Sequence, residues 1–204
     1  MIHRNLLVYL QRLQLAAAHE YFYFVCGAVD EQKFQKLREK FQFFYSTSES
    51  KSARSRRRAR GEAATILHAI RHDQKVHFCL MSTRGKGRVH EREMLSDLRQ
   101  KSARLLSPCK RFELIHDGKS WSWSMSKAEY RKWRERIHTI AALRPERRKI
   151  ITNASGELRD SHIERLLDRL YSQPGFRLIR KQIGELIVFL HREWTRLRLS
   201  SDLT

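Results

Sequence analysis

The chain has 204 residues, of which 41% are hydrophobic, and this suffices for a buried core in one domain with or without an appendage. Its formal charge of +20 exceeds what solubility requires and indicates an anionic partner. Its three distant cysteines fit neither a disulfide framework nor CxxC zinc spacing, and no apolar run approaches the roughly 20 residues of a membrane span, so we expect a soluble cytoplasmic protein without a membrane partner.

The N-terminal quarter predicts a helix, a strand and a second helix. Leucines at positions 6, 7, 10 and 13 follow helical spacing, and polar residues at 11, 12 and 14 interrupt the apolar run that a signal peptide would need. The aromatic and β-branched segment 21–29 predicts a buried strand. Asp30 can then cap a helix over 31–45, which carries phenylalanines at 34, 41 and 44 on one face.

The next region alternates basic loops with short ordered elements. Segment 46–62 is rich in Ser and Arg and has no apolar residue larger than Ala, so it predicts a mobile basic loop. Two apolar runs, 65–70 and 76–81, flank a polar stretch and predict a hairpin. A second basic loop at 83–88 then precedes a helix predicted over 90–106.

The remaining elements predict one more hairpin and three helices. An Asp-Gly pair at 117–118 between alternating apolar residues is the strongest short hairpin signal in the chain. Ser126 and Glu129 have the spacing of a capping box at the start of a helix. Segments 156–171 and 176–199 are helical in pattern and flank a short turn, which predicts a helical hairpin.

Together these elements predict an α+β fold. A small antiparallel or mixed sheet with packed helices is followed by a C-terminal helical hairpin. We assign residues 1–150 to a basic α+β domain, with its mobile loop at about 46–62, and residues 151–204 to the hairpin.

The positive charge is concentrated in one part of the chain. Residues 51–150 hold 27 Lys and Arg against 10 Asp and Glu, whereas residues 1–50 hold 6 against 5 and residues 151–204 hold 9 against 7. An excess this one-sided favours a dedicated face for a polyanion such as nucleic acid. The alternative is a solvated surface whose charges simply repel one another.

Four basic clusters are candidate nucleic-acid contacts. An arginine-rich run could order on a phosphate backbone, although it would also serve as a solubilising linker. The loop TRGKGR has two glycines that would let the backbone approach phosphates, but it lacks Walker A spacing and is equally consistent with a plain turn. A third cluster lies at 144–149, around Pro145, and the last helix begins with cations where a helix-turn-helix would contact a groove, although a structural or dimerising hairpin fits as well. The candidate residues are Arg54, Arg56, Arg57, Arg58, Arg60, Arg84, Lys86, Arg88, Arg144, Arg147, Arg148, Lys149, Arg177, Arg180 and Lys181.

Two tryptophans offer an alternative mode of binding. Trp121 and Trp123 lie two apart on a predicted strand and therefore on one face of it. If that face were open, the rings could stack on unpaired bases, which would favour RNA. Core packing is the competing interpretation, because the serines between them give the alternation of a half-buried strand.

A catalytic site is weakly supported by the sequence. A strand-transferase of the His-hydrophobe-His type needs two histidines flanking one residue and a tyrosine nucleophile, for which Tyr130 is available, but His77 has no partner at that spacing. Glu113, His116 and Asp117 straddle a turn and form no convincing metal-assisted nuclease site. We therefore expect no catalytic residues, no metal and no cofactor, while a nuclease or strand-transferase with a degenerate His/Tyr site stays open.

The sequence as a whole favours a DNA-binding accessory protein, which positions or recruits a larger DNA-processing machine such as one for plasmid or phage transfer or replication. In a bacterium such a protein would be associated with the nucleoid. An RNA-binding protein is the main alternative. Protein partners or a homodimer could form through the C-terminal helices.

Overall fold

The structure of the chain is a computed structural model, which describes residues 2–143, 150–152 and 158–199. It confirms the α+β class, and the chain divides into two compact units, Met1–Ser122 and Trp123–Thr204. The domain boundary expected after residue 150 stays a prediction. Within the described ranges, no helix is long and apolar enough to cross a membrane.

A five-stranded sheet organises the first unit. Its strand order is β1-β3-β4-β2-β5, with β1 parallel to β3 and the other neighbours antiparallel. The hairpin of β3 and β4 confirms the two apolar runs of the sequence. Strand β2 is present as predicted, but its burial is not confirmed, because only Phe24 of its seven residues is buried. The strands are β1 (Ile2–His3), β2 (Tyr23–Val29), β3 (Thr65–His72), β4 (Lys75–Ser82) and β5 (Ser96–Asp97).

Two helices confirm the sequence and cover opposite faces of this sheet. Helix α2 (Glu31–Tyr45) buries Phe34 and Phe41 in one core cluster with Leu67 of β3. Asp30 occupies its N-cap position, but its side chain makes no capping hydrogen bond. Helix α1 (Leu6–Ala18) begins where the Asn5 side chain accepts a hydrogen bond from the Val8 amide at 2.8 Å, and it packs against β3. Because successive residues of a strand face opposite sides, Leu67 and Ala69 point to α2 whereas Ile66 and His68 point away from it.

The loop predicted at 46–62 is wrong over most of its length, because residues Lys51–Ala59 form a helix, α3. Ser50 caps it by accepting a hydrogen bond from the Ala53 amide at 3.2 Å. Arg, Lys and Ala have high intrinsic helix propensity, so the segment needs no apolar face to be helical. The helix buries none of its own residues, and Arg57 ties it to the preceding segment by donating to the Glu49 carboxylate at 3.0 Å.

Replacing Ser50 by Ala should loosen α3 without affecting the sheet. An N-cap serine contributes about 1 kcal/mol, and α3 has no buried face to compensate for its loss. Amide hydrogen exchange should therefore accelerate about fivefold in α3 and stay unchanged in β3 and β4. Ser55→Ala, a substitution inside the same helix, is the control. Unchanged exchange in the Ser50 variant would show that the cap does not hold the helix.

The helix predicted over 90–106 is also wrong. Only Arg88–Arg92 is helical, as the short helix α4, and the chain then forms β5, a turn and strand β6 (Leu105–Leu106). The apolar residues of this segment lie in different environments. Met94 is 96% exposed, whereas the Leu98 amide donates to the Phe22 carbonyl at 2.9 Å and Leu105 pairs with Leu114 on the neighbouring strand.

The hairpin predicted at the Asp-Gly pair is confirmed. Strands β7 (Phe112–His116) and β8 (Trp121–Met125) are neighbours in a three-stranded sheet with β6. Asp117 orders the turn, since its side chain accepts hydrogen bonds from the Lys119 and Ser120 amides at 3.2 and 3.1 Å.

The second unit is mainly helical. Helix α5 (Lys127–Ala141) begins at Ser126, whose side chain accepts from the Glu129 amide at 3.3 Å, as the capping-box pattern predicts. A small ribbon of β9 (Ile150–Thr152) and β10 (Leu158–Asp160) precedes α6 (Ser161–Tyr171) and α7 (Arg177–Leu199). The first helix of the hairpin was predicted to begin at 156, but it begins after β10, where the Asp160 side chain accepts from the His162 amide at 2.8 Å. Helix α7 lies along α5, with His138 bonded to Glu193 at 2.6 Å.

Candidate functional site

The structure joins two basic clusters that are far apart in sequence. Directly after α3, the Ala63 amide donates to the Lys86 carbonyl and the Lys86 amide donates to the Gly61 carbonyl, both at 2.9 Å. Glu62 and Lys86 form an isolated parallel bridge. Loop 84–88 is thereby held against the C-terminal end of α3. We call α3 together with loop 84–88 the basic ridge.

The register of the β3–β4 hairpin explains this junction. Thr65 pairs with Ser82, so the residues that precede β3 and those that follow β4 leave the sheet side by side. The hairpin itself was predictable from the sequence. Extending its register by a few residues would have placed loop 84–88 beside residues 61–63.

Position 85 has to be a glycine, because loop 84–88 lies very close to the backbone of residues 61–63. Its φ is +142°, and a Cβ atom placed on it would lie 2.6 Å from the Ala63 nitrogen and 2.6 Å from the Glu62 carbonyl carbon. Any larger residue would therefore collide with backbone. The structure thus gives this glycine a packing role that the sequence interpretation, an approach to phosphates, did not include.

The cations of the basic ridge fall into two sets. Two arginines of α3 are engaged with carboxylates, Arg57 with Glu49 and Arg58 with Glu20, and Arg60 directly after the helix pairs with Glu62. The others make no ion pair with any carboxylate in the described part of the chain, although Arg54 donates to the Glu49 backbone carbonyl. These cations are Lys51, Arg54, Arg56, Arg84, Lys86 and Arg88. All of them except the half-buried Arg54 are exposed, so the ridge presents unneutralised positive charge to solvent.

A concave site adjoins the ridge. Helices α1 and α3 border a groove of about 380 Å³ that contains Ile66 and His68 of β3 in its lining. Its basic lining residues are Arg12, His19, Lys51, Arg54, Arg58 and His68. We call this space the α1–α3 groove. The groove does not follow from the sequence pattern, in which Arg12 only interrupts the apolar run of α1.

His68 is paired with a second histidine beside the groove. The His3 Nε2 and His68 Nδ1 atoms lie 3.1 Å apart, so one ring donates a hydrogen bond to the other. Burial, followed by nearby positive charges that include Arg12 and Arg54, lowers the pKa of His68 to about 3. Burial also lowers the pKa of His3. Both rings are therefore neutral at physiological pH.

This pair predicts a loss of stability in mild acid. The unfolded His68 has a pKa near 6.5, so between pH 6.5 and 3 the unfolded chain binds a proton that the folded chain does not. The free energy of unfolding is therefore highest above pH 6.5. It falls as the pH decreases, by about 2 kcal/mol between pH 7 and pH 5. Urea denaturation at the two pH values measures this loss. The loss of stability between pH 7 and pH 5 should be smaller in His68→Asn and unchanged in the control His191→Asn. An equal loss in the wild-type protein and both variants would contradict the prediction.

The candidate catalytic residues are not assembled into a site. Glu113 is held by Arg104, whose Nε donates to it at 2.7 Å, and the described residues contain no group of three or more His, Cys, Asp or Glu that could hold a metal ion. His77 lies next to His72, with ring centroids 5.7 Å apart. Burial and then Glu185 raise the pKa of Tyr130, which opposes its ionisation to a nucleophile.

The tryptophans are core residues, as the competing interpretation had it. Trp121 is 8% exposed and Trp123 is 0% exposed. The ring of Trp121 packs near Phe22 and His116, at centroid distances of 6.0 and 5.2 Å. The stacking face on Trp121 and Trp123 is therefore wrong, because neither ring presents a free surface to a base.

The remaining predicted contacts lie in the second unit or outside the description. Arg177, Arg180 and Lys181 are exposed in the first turns of α7, and Arg180 donates to the Tyr171 carbonyl at 3.4 Å. The neighbouring Gln182 accepts a hydrogen bond from the Met125 amide at 2.7 Å, so its side chain is used within the unit. The helix-turn-helix stays a prediction. The third cluster, Arg144, Arg147, Arg148 and Lys149, lies outside the described residues.

Comparison with known proteins returned no match. No protein-family model matches the sequence, no curated protein is significantly similar to it, and no solved structure resembles the fold significantly. A functional proposal for this chain therefore has to rest on the basic ridge and the α1–α3 groove.

Proposed function

We propose that this protein binds nucleic acid, DNA in preference to RNA, through phosphate contacts made by the basic ridge. The observation that carries the proposal is the junction at Lys86, which makes one surface from two clusters that are separate in sequence. Lysine and arginine side chains that neutralise phosphates provide most of the affinity for a nucleic-acid backbone. Six cations of the ridge make no ion pair among the described residues and are available for this purpose.

The character of the ridge supports binding that depends on charge more than on base sequence. Its unpaired cations lie on an exposed helix and a loop, where they can reach phosphates without entering a groove. Charged groups that reach only phosphates fix the position of a protein on DNA and carry no sequence information. Such a protein is suited to position or recruit a larger DNA-processing machine, and we place it in the cytoplasm, on the nucleoid if its source is a bacterium.

The preference for DNA over RNA is supported by the burial of the tryptophans. Recognition of single-stranded RNA commonly uses exposed aromatic rings on a sheet, and Trp121 and Trp123 are not exposed. A backbone-binding ridge needs no such rings, because the phosphates of a duplex are accessible along its whole length.

One binding panel tests this proposal. Duplex DNA, single-stranded DNA and structured RNA of equal length are titrated by fluorescence anisotropy over a salt series, with and without magnesium. We expect duplex DNA to bind most tightly, with a slope of log K against log salt of about −4 to −5 if most of the unpaired ridge cations engage phosphates. A slope near zero for every ligand would refute nucleic-acid binding. Tighter binding of RNA would refute the DNA preference, and cleavage that requires magnesium would establish a nuclease instead.

A further inference from the structure

The α1–α3 groove differs from the basic ridge in shape. It shares Lys51 and Arg54 with the ridge, but there they line one concave space together with Arg12 of α1, whereas the cations of loop 84–88 are exposed at the surface. A volume of about 380 Å³ falls in the size range of sites for small ligands and is too small to admit a double helix. The groove therefore suits a single chemical unit of a nucleic acid better than a stretch of duplex.

The charge of the groove is strongly positive. Arg12, Lys51 and Arg54 form no ion pair with a carboxylate among the described residues, and only Arg58 is neutralised, by Glu20. The field of these cations reaches the interior of the fold, because Arg12 and Arg54 contribute to the lowered pKa of His68. An anion bound among them would relieve this repulsion.

The lining also has an apolar part. Leu15, Ala16 and Ile66 line the same space as the cations, together with Tyr21. Sites for small molecules commonly combine such apolar walls with a few charged groups that fix the orientation of the ligand. A free inorganic anion would leave these walls without a partner, whereas a nucleotide has both a phosphate and an apolar ring system.

Building on the proposed function, we propose that the α1–α3 groove binds the phosphorylated end of a nucleic-acid strand. Arg12, Lys51 and Arg54 hold the terminal phosphate, and the terminal nucleoside lies against Leu15 and Ile66. The charge balance favours an end over an internal linkage. A phosphate monoester carries about −1.5 to −2 charges at pH 7, whereas an internal diester carries one, and three unpaired cations match the higher charge.

Three oligonucleotides that differ only at their ends test this proposal. One has a 5′-phosphate, one a 3′-phosphate and one hydroxyl groups at both ends, and each carries the same internal fluorophore. We expect one phosphorylated end to bind about tenfold more tightly than the hydroxyl ends. Arg12→Gln should remove this preference. The double substitution Arg84→Gln with Lys86→Gln should weaken the binding of all three oligonucleotides but leave the preference for the phosphorylated end unchanged. Arg4→Gln, at another exposed arginine next to α1, should change nothing.

The outcomes separate this proposal from the one on which it rests. Equal affinity for the three ends, with a persistent salt dependence, would overturn the groove proposal and leave nucleic-acid binding in place. A preference that survives Arg12→Gln in a variant with an unchanged circular dichroism spectrum would also overturn it. In a titration with inorganic phosphate followed by NMR, we expect the pKa of His68 to rise. Shifts confined to loop 84–88 would place the anion on the ridge and contradict the proposal.

Discussion

Replacing Arg84 and Lys86 together by glutamine should weaken binding to duplex DNA about 50-fold at 100 mM salt. Each neutralised phosphate contributes roughly eightfold at this salt concentration, through the counterions that it releases. Neither side chain has an ion pair within the described residues, so both charges are free to act on DNA. The same reasoning predicts that the slope of log K against log salt becomes less steep by about 2. Fluorescence anisotropy over a salt series measures both quantities.

The matched control removes the same charge elsewhere in the first unit. Lys75 and Lys119 are exposed and lie outside the ridge, Lys75 at the start of β4 and Lys119 in the turn between β7 and β8. The double substitution Lys75→Gln with Lys119→Gln should leave the affinity within about twofold, because general attraction by net charge is screened beyond roughly 10 Å at this salt concentration. Equal losses in the two double variants would mean that the protein attracts DNA by its net charge and has no dedicated face.

The difference between paired and unpaired arginines of α3 provides a finer test of the same surface. Arg56 is exposed and unpaired among the described residues, whereas Arg57 donates to Glu49 at 3.0 Å. We expect Arg56→Gln to weaken DNA binding about tenfold and to leave stability unchanged. Arg57→Gln should mainly destabilise α3, because it releases the segment before the helix.

Elements with a strong local pattern could be predicted from the sequence almost to the residue. Helix α2 begins after Asp30 and ends at Tyr45, as the position of Asp30 and the spacing of the phenylalanines predict, although the Asp30 side chain makes no capping hydrogen bond. Helix α3 could not be found in this way, because periodicity detects a helix through its buried face and α3 has none. Its helicity comes from intrinsic helix propensity and from the Ser50 cap. Both signals are weaker than the run of charged residues in this segment, which indicates a loop.

The candidate site was predictable only where it follows from local pairing. The ridge could be derived from the β3–β4 hairpin, since Thr65 pairs with Ser82. The groove could not, because it requires α1 and α3 to lie on the same face of the sheet. The pairing of His3 with His68 joins residues 65 positions apart and depends on a parallel strand pair that no pattern in the sequence predicts. Long-range contacts of this kind are set by the global packing of apolar faces.

Replacing Gly85 by Ala should be among the most damaging single changes in the first unit. The new Cβ atom would lie 2.6 Å from two backbone atoms of Glu62 and Ala63, and the φ of +142° is itself strained for alanine. Strain and overpacking together should lower the free energy of unfolding by about 3 kcal/mol. Because the clash lies at the junction of the ridge, loop 84–88 should also separate from the end of α3. Urea denaturation and DNA titration measure the two effects.

Gly118→Ala separates the clash from the backbone strain. Gly118 also has a positive φ, +91°, but a Cβ atom there would meet nothing within 4 Å. This variant should therefore lose only about 1 kcal/mol and keep its full affinity for DNA. If both variants lost the same stability and neither lost affinity, the close contact between loop 84–88 and residues 61–63 would not exist in solution. The ridge would then be two independent basic segments, each of which would contribute to DNA binding only through its own charge.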